Sequence, residues 1–407
     1  MHYDLLVCGA GPAGTIAAAQ AAQAGLKVAL LEKYPLPRHK TCGGGMPVAV
    51  QHFLRDLVPE AFVESNVRYM RHTWNFTNPY LGAISPSGSA RALSLWMVRR
   101  SVFDHALAQR AVRAGAELWD GLVVRSLQLE SQQVVVRAQA LKADGDLTPK
   151  SEFVATAPYV IGADGANGVT AKATGLRQKR AISLAMEIEY PYQWHDHPEL
   201  KPAIAHLEYG AVKQGYAWIF PKADHLNIGA GVFRFGQADA RREPQVKSQL
   251  QQAILGYLDL FQLPYDPSSL QFHAHPLPIW NGREPLHTPD GQVLLAGDAA
   301  GLINPFFGDG ILHAVKSGII AAECVVNGTT LTYSDRIHAE FAANFDTART
   351  LASCFYQFPS LFYRYGIRQP MATYLATRLL SGDLQFTEIM GRAVRRLGRT
   401  MTGGFQG

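Results

Sequence analysis

Within "YDLLVCG" (3–9) apolar residues run from Leu5 to Cys8 until a glycine ends them. A short continuous run of that kind predicts a strand buried on both faces, as in a parallel sheet. The alanine-rich "GPAGTIAAAQAAQAG", closed by Gly25, predicts a helix, and "KVALLE" (27–32) predicts a second buried strand. Residues 98–118 carry the period of an amphipathic helix, and 117–145 alternate like a meander with an Asp144-Gly145 turn. Within 157–176 an apolar strand breaks into Ala163-Asp164-Gly165. The middle, from about 180 to 280, reads as strand-like and aromatic-rich. Near 290 "GQVLLAGDAAG" returns to a buried strand, and the last 75 residues read as helical. There is no internal repeat and no low-complexity stretch.

Between the first strand and helix lies Gly9-Ala10-Gly11-Pro12-Ala13-Gly14, a GxGxxG pattern in the place where it has a mechanism. Its glycines permit a tight turn, the approach of a pyrophosphate and close helix–strand packing, while the helix N-terminus offers amides and a positive dipole end. Glu32, 18 residues after Gly14, ends the second strand where a carboxylate can accept from ribose hydroxyls. A dinucleotide site is the reading. No second GxGxxG follows a strand. A nucleotide-binding half, a β-rich insertion and a returning strand and helix predict discontinuous domains that meet on one cofactor.

At 407 residues the chain is longer than a single core usually grows, so two or more lobes are expected. A hydrophobic fraction of 47% with 17% charged residues excludes a disordered chain. No apolar run is long enough to span a bilayer, and the start shows no charged leader, so a cytoplasmic protein is expected. Cys8, Cys42, Cys324 and Cys354 form no CxxC pair, which fits a reducing compartment and points to neither zinc nor disulfides. From Ser360 on there are seven arginines and two acids, 7 − 2 = +5, which is the whole formal charge of the chain. That narrow pattern argues against nucleic acid. Arg392, Arg395, Arg396 and Arg399 recur at helical spacing, which suggests a peripheral membrane contact or an acidic electron donor.

Further motifs carry a resemblance. Gly9–Gly14 with Glu32, Arg100–Asp104 as Arg-x-x-Phe-Asp, the Gly-Ala-Asp-Gly of 162–165, and Gly297-Asp298 followed by Pro305 and Gly308-Asp309-Gly310 resemble the fingerprints of FAD-dependent oxidoreductases of the p-hydroxybenzoate hydroxylase fold. "KTCGGGMP", "GYAWIFPK" (215–222) and "NPFFGDGI" (304–311) resemble the geranylgeranyl reductase family. The similarity covers about residues 3–325.

The resemblance implies an α/β fold: a Rossmann-like FAD-binding domain, an inserted β-rich substrate domain and a helical C-terminal region. FAD-binding segments are expected at 1–70, 96–180 and 285–330, substrate-domain segments at 71–95 and 181–284 (an antiparallel sheet), and helices at 331–407. It implies non-covalent FAD held by Gly9, Gly11, Pro12, Ala13, Gly14, Glu32, Lys33, Arg38, Cys42, Gly43, Arg100, Asp164, Gly297, Asp298, Pro305, Gly308, Gly310 and Ile311. Spacing favours Arg100 over Arg99. Asp164 reads as a turn former, and Gly168 stands where many relatives have serine. Cys42, Gly44, Gly45, Tyr216 and Trp218 are expected beside the substrate, the glycines letting backbone approach the flavin ring.

The implied reaction is saturation of carbon–carbon double bonds in a prenyl chain, with NADPH or a ferredoxin-type protein as reductant. The proton donor stays open among water, Cys42 and a tyrosine. Oxygen chemistry on the same fold is the alternative. Halogenases of this fold carry Trp-x-Trp-x-Ile-Pro, and Tyr216-Ala217-Trp218-Ile219-Phe220-Pro221 matches that only in part. Each assignment has a plainer competitor. Cys42 fits a small packing residue, the alternation Tyr216, Trp218, Phe220 fits any half-buried strand, and His39 and Lys40 fit an exposed loop as well as a phosphate site. His273 and His275 alternate but have no acidic or cysteine partner nearby, so no metal is expected.

Overall fold

The computed structural model describes residues 1–88, 92–142, 147–179, 181–195, 197–233 and 243–389. Leu5–Cys8 and Val28–Leu31 are fully buried parallel strands joined by the helix Pro12–Gln23. They sit in a five-stranded sheet whose other members, Glu117–Trp119, Tyr159–Gly162 and Val293–Leu295, come from distant parts of the chain. The inner strands of such a sheet are buried on both faces and are short apolar runs, whereas the edge strand Glu117–Trp119 is partly exposed. Leu122–Leu129, Val134–Leu141 and Leu147–Ala157 form the three-stranded meander over one side; Asp144-Gly145 lies outside the described residues.

The second lobe is a seven-stranded sheet built on Ala181–Pro191, Ile204–Glu208, Gly215–Pro221, His225–Val232 and His273–Ile279. The hairpin Tyr69–Trp74 with Thr77–Ala83 completes it. The strands within 181–284 pair with one another antiparallel, and the hairpin joins them in parallel, Tyr69–Trp74 against Ile204–Glu208, because it arrives from another part of the chain. A small sheet of Gly45–Pro47, Leu95–Val98 and Val63–Val67 joins the lobes.

Two element expectations are corrected. The stretch 180–280 is not strand-like throughout, since Glu243–Leu260 is a helix. Val246, Leu250, Ala253, Ile254, Tyr257 and Leu258 recur at three and four residues and bury one stripe against the back of the seven-stranded sheet. The helix within 98–118 is shorter than its pattern, running only from Arg100 to Arg113. Gly115, at φ +106°, turns the chain into the strand Glu117–Trp119. At the C-terminal end the long helix Tyr333–Gln357 is followed by short helical turns and Ala372–Ser381. Arg392, Arg395, Arg396 and Arg399 lie outside the described residues.

Candidate active site

A single cavity of about 810 Å³ runs from the GxGxxG turn to the C-terminal helices. The three fingerprint glycines do different work along it. Gly9 has φ +104°, and a Cβ there would run into the Ala163 carbonyl. Gly14 lies against the Gly9 carbonyl and is behind the cavity wall. Gly11 has ordinary backbone angles and open space where its Cβ would be. It is therefore the glycine whose absent side chain leaves room for a ligand. Pro12 starts the helix, which has no side-chain cap at its N-terminus, and with Ala13 it lines the cavity.

Glu32 follows the second strand and is held by Ala10 N–H (2.9 Å), Tyr34 N–H (3.2 Å) and Arg38 (3.1 Å). Arg38 also donates to Asp104 at 2.9 Å, and Arg100 grips the same carboxylate through Nε at 2.7 Å and its terminal nitrogen at 2.9 Å. Asp104 is fully buried, and the two guanidiniums compensate its charge. The ladder Glu32–Arg38–Asp104–Arg100 thus fixes two cations along the cavity wall. Arg99 points elsewhere, to Glu64 and Asp224. Those two acids with His225 have the spacing of a metal site, but the arginine already bridges them. Lys33 lines the cavity beside Glu32.

Asp164 accepts from Thr170 N–H (2.9 Å) and Oγ1 (2.6 Å), and so caps the short helix Thr170–Ala173. Gly168 packs against that carboxylate, so a serine side chain has no room there. Farther along, Gly297 (φ +59°) and Asp298 form a tight turn on the wall, and Gly310 begins the helix Ile311–Val326, also without a side-chain cap. Pro305 is buried behind the wall rather than on it. Between Gly308 and Gly310 stands Asp309, whose Oδ1 is buried without a partner. Burial pushes its carboxyl up to about 7.

The strap Cys42–Gly45 is clamped from the seven-stranded sheet. Glu187 accepts the Cys42 N–H at 2.7 Å, and Lys222 Nζ donates to the Gly43 and Val98 carbonyls at 2.7 Å each. Both clamp residues are 2% exposed, and burial pushes Glu187 up to about 7 and Lys222 down to about 8. Gly44 has φ +68°, and a Cβ there would meet the Val98 carbonyl and Lys222 Nζ. Gly43 and Gly45 lie against the Phe220 ring. The three glycines are thus required first by protein neighbours, a reason absent from the sequence reading. Cys42 lines the cavity, its sulfur accepting from Gly44 N–H at 3.4 Å.

Lys40 is half-buried with its Nζ 2.7 Å from His275 Nε2, while His39 is exposed, its ring packed against that of His273 at 4.6 Å. Burial, reinforced by the facing Lys40 and Arg100, pushes His275 down to about 3, so it meets Lys40 as a neutral acceptor.

Past the strap the wall turns apolar. Tyr216 and Trp218 project into this arm with Phe220, Met97, Phe306 and Phe355. The tyrosine hydroxyls are tied off: Tyr216 donates to Phe307 O at 2.5 Å and Tyr356 to Phe306 O at 3.0 Å. His72 is joined to Tyr209 Oη and to Thr373 Oγ1, both at 3.0 Å. Sequence reasoning missed Met70, His72 and the helical segment from Phe362 to Leu380, which closes the arm. Nothing local marks these residues; they reach the cavity only through the fold.

The open face at Gly11, two uncapped helix N-termini and an elongated cavity with Glu32 near one end and Asp298 farther along fit a dinucleotide cofactor. The model of the FAD binding domain family matches residues 2–322. The chloroplast geranylgeranyl diphosphate reductase of Oryza sativa subsp. japonica is 30% identical over 349 residues, 84% of this chain and 70% of that one. Two solved structures share the fold. One is a geranylgeranyl bacteriochlorophyll reductase-like protein from Thermoplasma acidophilum, with TM-score 0.71 and 21% identity over 95% of this chain and 93% of that one. The other is a flavin-dependent brominase, with TM-score 0.71 and 20% identity over 98% and 100%. FAD is the cofactor of this fold, and the chain belongs to the geranylgeranyl reductase family of FAD-dependent oxidoreductases.

Proposed function

We propose that the protein saturates carbon–carbon double bonds of a prenyl, geranylgeranyl-type chain. The observation that carries this reading is the arm beyond the strap, where the aromatic and aliphatic wall has its tyrosine and histidine polar atoms engaged with other protein groups. Such a wall gains free energy by burying hydrocarbon and offers a polar ligand little. Reduced FAD, when bound, supplies the electron pair of an alkene reduction as a hydride equivalent. The chain's own residues do the rest. The arm excludes water and aligns an alkene that has no carbonyl to polarise. The Glu187–Lys222 clamp fixes the Cys42 strap where arm and cofactor groove meet.

Asp309 is the residue we assign to holding the proton. It lies on the wall beside the uncapped Ile311–Val326 N-terminus, and burial raises its carboxyl to about 7, so near neutral pH it can both hold and release a proton. Burial pushes Tyr216 and Tyr209 above the ordinary phenol range, and Tyr216 already donates to a carbonyl, which leaves them poor proton sources. The immediate electron source is NADPH or a ferredoxin-type protein. The test is anaerobic: the protein is reduced chemically, a geranylgeranyl substrate is added, and flavin absorbance is followed. Reoxidation without oxygen supports prenyl reduction. Reoxidation that requires oxygen, with an oxygenated or halogenated product, overturns it.

A further inference from the structure

Fifteen large hydrophobic side chains are exposed among the described residues, and five of them fall within Phe358–Leu375. Phe358 (51%), Leu361 (54%), Tyr365 (62%) and Met371 (47%) stand on the turns between the last two long helices, followed by Leu375. From 347 to 382 the sequence has Arg349, Arg364, Arg368 and Arg378 but no aspartate or glutamate. Arg364 stacks over the Tyr365 ring at 5.5 Å. The inner side of the same segment closes the apolar arm: Phe362, Ile367 and Leu379 line it, and Leu375 both lines it and is 36% exposed. The wall there is one layer of side chains thick.

We infer that Phe358–Arg378 is a docking face for an anionic lipid surface and that the arm opens through it, so that an apolar chain passes between bilayer and cavity without crossing water. The occupant follows from chemistry on the page. Exposed aromatic and aliphatic groups interleaved with arginines, with no acid among them, match the headgroup boundary of an anionic bilayer. No described helix is long and apolar enough to cross a membrane, so the segment rests on the surface. The port rests on the prenyl-reductase reading; the docking face does not.

The experiment uses the full chain loaded with FAD. Co-sedimentation is measured with vesicles of phosphatidylcholine alone and with added phosphatidylglycerol, at low and high salt. Arg364→Gln with Arg368→Gln, and Leu361→Ser with Tyr365→Ser, are compared with the wild type and with Arg392, Arg395 and Arg396 changed to Gln. Leu361, Arg364, Tyr365 and Arg368 do not line the cavity. Each arginine near an anionic surface contributes about fivefold in partitioning, so the double arginine variant is expected to bind on the order of 25-fold more weakly. Flavin content and anaerobic reoxidation with a detergent-dispersed substrate should stay unchanged. Reoxidation by vesicle-embedded substrate should fall with binding. Equal binding by wild type and both 361–368 variants, loss only in the 392–396 variant, or self-association through this face without vesicle binding would each overturn the docking proposal. Failure of reoxidation with dispersed substrate in the wild type would overturn the reductase reading instead, whatever the vesicles show.

Discussion

Two glycine-to-alanine changes, equal in chemistry, should have opposite consequences. At Gly44 the backbone has φ +68°, where an L-residue costs about 1–2 kcal/mol. The new methyl would also press on the Val98 carbonyl and on Lys222 Nζ, and Lys222 is held by two carbonyls and cannot withdraw cheaply. Weakening one buried, charged hydrogen bond adds about 1.5–3 kcal/mol. Gly44→Ala should therefore lose about 2.5–5 kcal/mol. At Gly11 the backbone is ordinary (φ −81°) and nothing lies within 4 Å of an added Cβ. The gain from restricting the unfolded chain, about 0.4–1 kcal/mol, roughly offsets the poorer helix cap. Apoprotein stability should then stay within about 0.5 kcal/mol, while the methyl fills space the cofactor needs. Denaturant unfolding of apoprotein, with FAD titration by fluorescence quenching, separates the two. A stable Gly44→Ala protein, or a Gly11→Ala apoprotein that is destabilised yet still binds FAD normally, would refute the reasoning.

Lys222→Met should cost about 2–4 kcal/mol in denaturant unfolding, because it leaves the Gly43 and Val98 carbonyls buried without a donor. Cys42→Ser should keep fold and flavin yet change turnover or the degree of product saturation; unchanged kinetics and products would reduce Cys42 to packing. Asp309→Asn should alter the pH dependence of stability in a defined direction. The raised carboxyl keeps its proton in the folded state while the unfolded chain releases it near 4, so the wild type loses stability as pH rises from about 4 to about 7. Unfolding curves of variant and wild type should diverge in the variant's favour across that window and run parallel above it.

The parts legible in the sequence are those whose chemistry is local. Gly9–Gly14 and Glu32 announce themselves because turn, helix start and strand end are contiguous. Arg100 is picked out by its spacing to Asp104. The Arg38–Asp104 bond joins residues 66 apart, and the Glu187 and Lys222 clamps reach the Cys42 strap from another lobe, so no periodicity reports them. The helix Glu243–Leu260 was hidden by the strong alternation of its neighbours, although its own three- and four-residue spacing is plain once isolated. The C-terminal turns carry ordinary helical composition, and their role comes from closing the arm. Asp309 lay inside a recognised glycine motif, but its missing partner is visible only when the loop is folded.

The central claim is that the arm presents a prenyl chain to the flavin-binding groove for reduction. A single anaerobic turnover of chemically reduced protein with a geranylgeranyl substrate, analysed by mass spectrometry, tests it most directly. The account predicts a product heavier by two hydrogens, formed in step with flavin reoxidation, and its yield should collapse when Trp218 is changed to Glu to place a charge in the arm. An unchanged substrate, or a product that gains oxygen or halogen only after air is admitted, would contradict it.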